Sequence, residues 1–218
     1  MTLRQLPLIP TIVVAAAVAT MVALGIWQIS RASEKEALIS LYRANLSKPA
    51  MAFPTTGPVP RQAMFRASSV TCVDVVGWRT EGGRAANGVS GNRYIAECRT
   101  GAEGPGALID LGVSQDPGIK PRWPGGVATG MITTEPDHTS VIARLFGGGT
   151  VLAPMLVSDR PADGLRASAK PSPDTVPNNH RGYAVQWFLF AGIALIIYVL
   201  ALRSRLKDGR SRLKDKPA

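Results

Sequence analysis

The chain is poor in the residues that carry most covalent and metal chemistry. It holds two cysteines and two histidines in 218 residues, too few for a disulfide-dense scaffold or a four-cysteine zinc site. No Cys-x-x-Cys occurs, which argues against a thiol oxidoreductase or a copper-transfer pair. Gly88-Val89-Ser90 is followed by Gly91 and then Asn92, where a nucleophile elbow needs its second glycine. Gly147-Gly148-Gly149-Thr150 lacks the lysine of a phosphate loop and opens no helical pattern, so it reads as a turn. His138 follows Pro136-Asp137 near Glu135 with no second His or Cys nearby, and reads as a solvated loop histidine. Nothing here points to an enzyme.

Charge is scarce where it is not needed. The net charge is +10, yet the stretch from Ser30 to Gly182 has seventeen Lys/Arg against thirteen Asp/Glu, only +4. The last sixteen residues, 203–218, carry seven Lys/Arg against two Asp. Nucleic-acid binding needs a basic face on a folded module rather than one basic tail, so that reading falls away.

Two long uncharged runs are present. Leu8 to Ile29 is twenty-two residues without a charge and Tyr183 to Leu202 is twenty, and a bilayer-spanning helix needs about twenty. Ala17-Val18-Ala19 resembles a signal cleavage site, but the apolar run continues ten residues beyond it, which favours a retained anchor. The basic tail predicts a cytoplasmic C-terminus, and two spans then return the N-terminus to the same side. Arg31, Lys35 and Arg43 after the first span oppose this locally, but long segments translocate largely regardless of charge. The expected layout is a cytoplasmic 1–7, a span at 8–29, an extracytoplasmic domain at 30–182, a span at 183–202 and a basic cytoplasmic tail at 203–218.

The domain begins with a helical pattern, Ser33 to Asn45, continuing from the first span, followed by a Pro-rich linker over 51–60. Candidate strands follow at 65–76, 93–99, 107–113, 126–133, 140–144 and 150–157, and predict a small, mainly antiparallel β domain. Gly82-Gly83, Asn87-Gly88, Gly91-Asn92, Gly104-Pro105-Gly106 and Pro124-Gly125-Gly126 are the expected turns. Residues 162–177 are expected to run extended back to the membrane. Cys72 and Cys98 fall in successive candidate strands; a disulfide and two buried thiols are both open.

The informative residues lie where the spans meet the outer side. On a helix His180, Ala184, Trp187 and Ala191 share one face, and antiparallel pairing brings the start of the second span to the end of the first. Trp27 and Trp187 then stand at nearly one depth, roughly 3 and 6 Å inside. Two tryptophans at this level are also what an aromatic interface belt provides. With His180 beside them they can instead form a flat porphyrin site, in which imidazole ligates iron and Arg31 and Arg181 pair with ring carboxylates.

At these residues the chain resembles the surfeit locus protein 1 family of cytochrome c oxidase assembly factors. Gly25, Trp27, Gln28 and Arg31 match the family's Gly-x-Trp-Gln-x-x-Arg, with Lys35 beyond it. Asn178, Asn179, His180, Tyr183, Ala184 and Trp187 match its Asn-Asn-His-x-x-Tyr-Ala-x-x-Trp. Between the motifs the match is poorer: Asp110-Leu111-Gly112-Val113 stands where the family often has Asn-Arg-Gly-Trp, and 126–132 resembles its next glycine-containing strand.

The resemblance implies a membrane α plus β protein, two antiparallel transmembrane helices flanking an extracytoplasmic β domain in a bacterial inner membrane. It implies haem a as a transient ligand, held by His180 on the iron with Trp27, Gln28, Arg31, Tyr183 and Trp187 around it. The implied partners are the catalytic subunit of cytochrome c oxidase and the machinery that makes haem a. Two other readings stay open, a scaffold that holds an oxidase subunit without haem and a membrane-anchored hydrolase whose nucleophile and base are not evident.

Overall fold

A computed structural model describes residues 7–101 and 106–214, with side chains described for these except Val141, Arg144 and residues 207–214. The expected turn at Gly104-Pro105, most of the N-terminal 1–7 and the end of the basic tail lie outside the described residues. Two long helices flank a seven-stranded mixed sheet that is mostly antiparallel. The chain divides into two compact units, one made of residues 1–37 and 177–218 and the other of 38–176.

Helix α1 (Leu8–Asn45) has 38 residues, about 57 Å at 1.5 Å per residue and so well beyond a hydrocarbon core of about 30 Å. The helical pattern after the first apolar run is thus one helix with it. Helix α3 (His180–Lys214) likewise runs past Leu202. Both are long and apolar enough to cross a membrane.

The sheet unit comprises β1 (Met51–Ala52), β2 (Ala67–Cys72), β3 (Asp74–Arg84), β4 (Ser90–Arg99), β5 (Gly106–Ser114), β6 (Gly126–Thr134), the short helix α2 (Val141–Leu145) and β7 (Pro154–Ser158). The strand order is β1-β2-β6-β7-β5-β4-β3, with β1/β2 and β5/β7 parallel and the other pairs antiparallel. Strands β2 and β3 stand far apart in that order but are joined through Val73 alone, so the sheet curls back on itself. One side chain face points inward along every strand from β2 to β7. Val70 and Cys72, Ala128 and Ile132, Leu156, Ile109 and Leu111, and Tyr94, Ala96 and Cys98 form one core with Trp78 and Val75 against it. The alternate residues Ile95, Leu108, Met155 and Val157 form a second cluster on the other face.

Three sequence expectations are corrected. Residues 140–144 were expected as a strand, but α2 occupies them, because Ser140 Oγ accepts from the Ala143 N–H and caps a helical turn. Gly82-Gly83 and Gly91-Asn92 are not turns; they pair with one another across the β3/β4 hairpin, Gly82 with Asn92 and Gly83 with Gly91. A side chain on Gly83 would lie 2.7 Å from the Arg93 Cβ, so close strand approach, not a bend, uses that glycine. The linker over 51–60 contains the short strand β1.

The last turns of α1, from Leu38 on, belong to the sheet unit and pack within it. Asn45 is fully buried, and its Nδ2 donates to the carbonyls of Arg61 at 2.9 Å and Met64 at 3.0 Å. Tyr42 packs against Phe65 with the rings tilted and their centroids 5.1 Å apart. Arg43 bridges to Asp174 at 2.7 Å.

Cys72 and Cys98 are joined as a disulfide with Cα atoms 5.2 Å apart, which settles the alternative that the sequence left open. The bond ties β2 to β4, strands that are not neighbours in the sheet, at the place where the sheet curls round. The 26-residue separation makes the bond worth about 3.5 kcal/mol in the chain-entropy account. Denaturant titration of the full-length protein in detergent is expected to show a loss of that order for Cys98→Ser or on adding reductant.

A second buried feature is polar. The bulge between Arg93 and Ile95 on β4 lets Ile95 face Asp110, and the Asp110 carboxylate is completely buried. Its Oδ1 accepts from the Gly112 N–H at 3.0 Å and the Ser168 hydroxyl at 2.6 Å, and Arg93 Nε lies 3.3 Å from Oδ2. Gly112 needs to be glycine here, with φ at 130° and no room for a Cβ beside the Arg166 carbonyl. Burial raises the Asp110 carboxyl above its ordinary 3.8, while Ser168, Arg93 and Gly112 draw it back. An acid raised on folding holds its proton more tightly folded than unfolded, so it subtracts stability as pH climbs through and above 3.8. The Asp110→Asn protein, uncharged at every pH, is therefore expected to improve relative to wild type as pH rises, as checked by denaturant titrations across an acid-to-neutral series. Asp110→Ala is expected to cost about 3 to 5 kcal/mol, because it strands Arg93 and both donors.

Candidate functional site

The helical unit has a seam readable in its burial. On α1, Thr11, Val14, Val18, Met21, Gly25, Gln28 and Ala32 recur at spacings of three and four, and each is buried or half-buried. On α3, His180, Ala184, Trp187, Ala191, Ala194 and Tyr198 do the same. This alternation is the side-chain pattern of two helices packed along one stripe. Gly25, Ala32, Ala184 and Ala191 are buried, the three alanines at 3, 4 and 5 % exposure. Between membrane helices, where lipid is as apolar as leucine, such small residues allow close backbone approach and so supply the association. Gly25 is the extreme case: a Cβ there would lie 2.7 Å from Phe188 Cζ, so the glycine makes room for the ring.

Close approach brings polar side chains across the seam at both ends. Toward the start of α1, the Thr11 and Tyr198 hydroxyls share a hydrogen bond. Toward the other end, His180 Nδ1 lies 2.6 Å from Gln28 Oε1. Asn178 Nδ2 also reaches the Ala32 carbonyl at 3.4 Å, while its Oδ1 is buried without a partner. The Asn179 carbonyl accepts from the Tyr183 N–H at 3.2 Å and so closes the first turn of α3. An open hollow of about 420 Å³ is lined by Asn178, Asn179, Gly182, Tyr183 and Gln186, residues close to His180 in sequence, though His180 is not part of its lining.

The residues singled out from sequence do not all converge. Gln28 and His180 meet in one hydrogen bond, and Trp187 lies on the same α3 stripe about two turns further along, with its ring against Phe190. Tyr183 borders the hollow and is half exposed. Trp27 faces away from the stripe and is 52 % exposed. The ring contacts among the described residues join Trp187 to Phe190 and Tyr42 to Phe65, so Trp27 and Trp187 do not stack as a pair.

Arg31 and Arg181 each have a carboxylate from their own unit. Arg31 bridges to Glu34 at 2.5 Å and Arg181 to Glu36 at 2.8 Å. Exposed bridges of this kind are worth about 0 to 1 kcal/mol, so a competing carboxylate can take either guanidinium at small cost. The sequence reading missed these partners, although the i,i+3 spacing of Arg31 and Glu34 signals the first. It also missed Asn178 as a seam residue, because a side chain reaching a carbonyl on another helix leaves no local pattern.

Among the described residues no group of three or more His, Cys, Asp or Glu is arranged to hold a bare metal ion. His138 is 75 % exposed and faces Glu81 at 3.3 Å, as a surface histidine does. His180 is thus the histidine built into the helix pair.

Gly25→Leu is expected to displace Phe188 and loosen the pair, lowering the melting temperature of the full-length protein in detergent. Adding Phe188→Ala is expected to recover part of the loss, since it empties the space that the leucine needs.

Comparison with known proteins adds an independent line. No curated protein matches the chain. The SURF1 family model matches residues 15–192, a range that takes in both motifs and the sheet between them. The chain belongs to the SURF1 family, which is associated with cytochrome c oxidase assembly.

Proposed function

We propose that this protein binds haem a at the outer end of its helix pair and assists its insertion into the catalytic subunit of cytochrome c oxidase. The observation that carries this reading is His180, half-buried on the helix seam and held by Gln28 at 2.6 Å. The donor set fits a haem: a histidine nitrogen is a common axial ligand, Trp187 and Tyr183 offer flat apolar faces, and Arg31 and Arg181 sit in weak bridges that ring carboxylates can replace. Trp27, half exposed, can cover the ligand from the side only if it turns. Haem is cargo in this reading, so the protein supplies binding and orientation rather than bond chemistry, and the role is non-enzymatic.

The membrane is a bacterial inner membrane, with the sheet domain outside and both termini in the cytoplasm. The seven Lys/Arg against two Asp in 203–218 support that orientation. The partners are the nascent oxidase subunit and the machinery that makes haem a.

A haem-free scaffold is the second reading. It is favoured by the broad apolar faces that the helices leave exposed, including Val185, Leu189, Ile193 and Ile196, which suit contacts with the helices of an oxidase subunit.

Protein purified from cells that make haem a is expected to carry a haem a spectrum, and His180→Ala is expected to lower haem content at least about tenfold. Undiminished haem in that variant overturns the ligand assignment. Haem-free wild type that still co-purifies with the oxidase subunit favours the scaffold. Reporters placed at residues 27 and 180 are expected on the same, non-cytoplasmic side; opposite sides remove the site.

A further inference from the structure

We propose that Gln28 is a positioning residue that selects the tautomer of His180, spending the imidazole proton on Nδ1 and leaving the Nε2 lone pair as the ligating atom. The inference rests on the reading of His180 as a haem ligand and goes beyond it by naming the nitrogen and the residue that selects it.

An amide oxygen accepts hydrogen bonds and donates none. Gln28 Oε1 carries lone pairs and no hydrogen, so in a contact of 2.6 Å with His180 Nδ1 the ring nitrogen is the donor. A neutral imidazole has one N–H. With that hydrogen on Nδ1, Nε2 carries an unshared pair, the form that a metal ion requires. Iron-bound histidines are commonly held in this way, through a hydrogen bond from the other ring nitrogen that fixes both tautomer and ring orientation.

The helix packing makes the contact possible. Gln28 lies on the α1 stripe between Gly25 and Ala32, and His180 opens the α3 stripe ahead of Ala184. Gly25, Ala32 and Ala184 are all buried; Gly25 takes the Phe188 ring against it, and the two alanines add little bulk beside the pair. Both partners are half-buried, which shields the bond from competing water without burying a charge. The side-chain torsion of histidine next to the ring is otherwise broad and roughly two-fold, and anchoring Nδ1 to α1 selects one ring direction. Gln28 is therefore assigned to hold the ligand rather than to touch the macrocycle.

The test uses full-length protein in detergent, labelled with ¹⁵N at histidine and free of haem. The chain has two histidines, so a His138→Gln sample assigns the signals. In the neutral form of His180, wild type is expected to carry the proton on Nδ1, and Gln28→Leu is expected to move it toward Nε2. In protein purified from haem a-producing cells, Gln28→Leu is expected to lower haem content about 10- to 100-fold. Gln28→Glu, which retains an acceptor oxygen, is expected to keep both the tautomer and most of the haem.

Wild-type His180 protonated on Nε2 overturns the proposal, and that measurement needs no variant to fold. Haem loss in Gln28→Leu without a change of tautomer also overturns it, since Gln28 would then act by contact with haem. Retention of haem by His180→Ala is the separate result that removes the ligand reading itself, whatever the tautomer proves to be.

Discussion

Close packing of two apolar helices over small side chains is the constraint on which the candidate site depends. In lipid the hydrophobic effect supplies no reason for one helix to prefer another over the solvent. Association then comes from short-range contact, which the small Ala32, Ala184 and Ala191 permit and which Gly25 permits by making room for the Phe188 ring. Once the helices are that close, Gln28 can reach His180 and Asn178 can reach the Ala32 carbonyl. Each such bond between membrane helices is worth only about 0.6 kcal/mol on average. Their value is directional: they decide which way a ring and an amide point.

The sheet domain solves a different problem, that of closing a curled sheet with a small core. Strands β2 and β3 continue one another through Val73 but pair with different neighbours, and the Cys72–Cys98 bond fastens the place where they part. On the opposite face Asp110 is buried with Arg93 and Ser168. A buried ion pair of this sort often adds little net stability over apolar packing but penalises any arrangement that separates its members. It therefore holds the β4 bulge, the Gly112 conformation and the return segment at Ser168 in one register.

The fold was legible in the sequence where one physical rule acted alone. Twenty-residue apolar runs predict helices of membrane-spanning length, which the structure has, and the β character of the domain followed from short Val- and Ile-containing runs between glycines. The reading failed where two rules compete. Gly82-Gly83 and Gly91-Asn92 have the composition of turns, yet they face one another across a hairpin, since glycine serves close approach as readily as it serves bending. Residues 140–144 contain Val and Ile, yet Ser140 caps a helical turn there. The parallel pairs β1/β2 and β5/β7 were beyond reach because parallel pairing depends on distant chain segments.

At the candidate site, the sequence by itself determined the chemistry available: one histidine at the head of the second span, a glutamine and an arginine at the end of the first, and a stripe of small residues at helical spacing. Only the tertiary structure decided which of these meet. It joined His180 to Gln28, turned Trp27 away from the stripe, gave Arg31 and Arg181 the carboxylates of Glu34 and Glu36, and bonded Cys72 to Cys98. The physical reason is that periodicity specifies the face of a helix, whereas the rotation and depth at which two faces meet are set by the shapes of side chains distant in sequence.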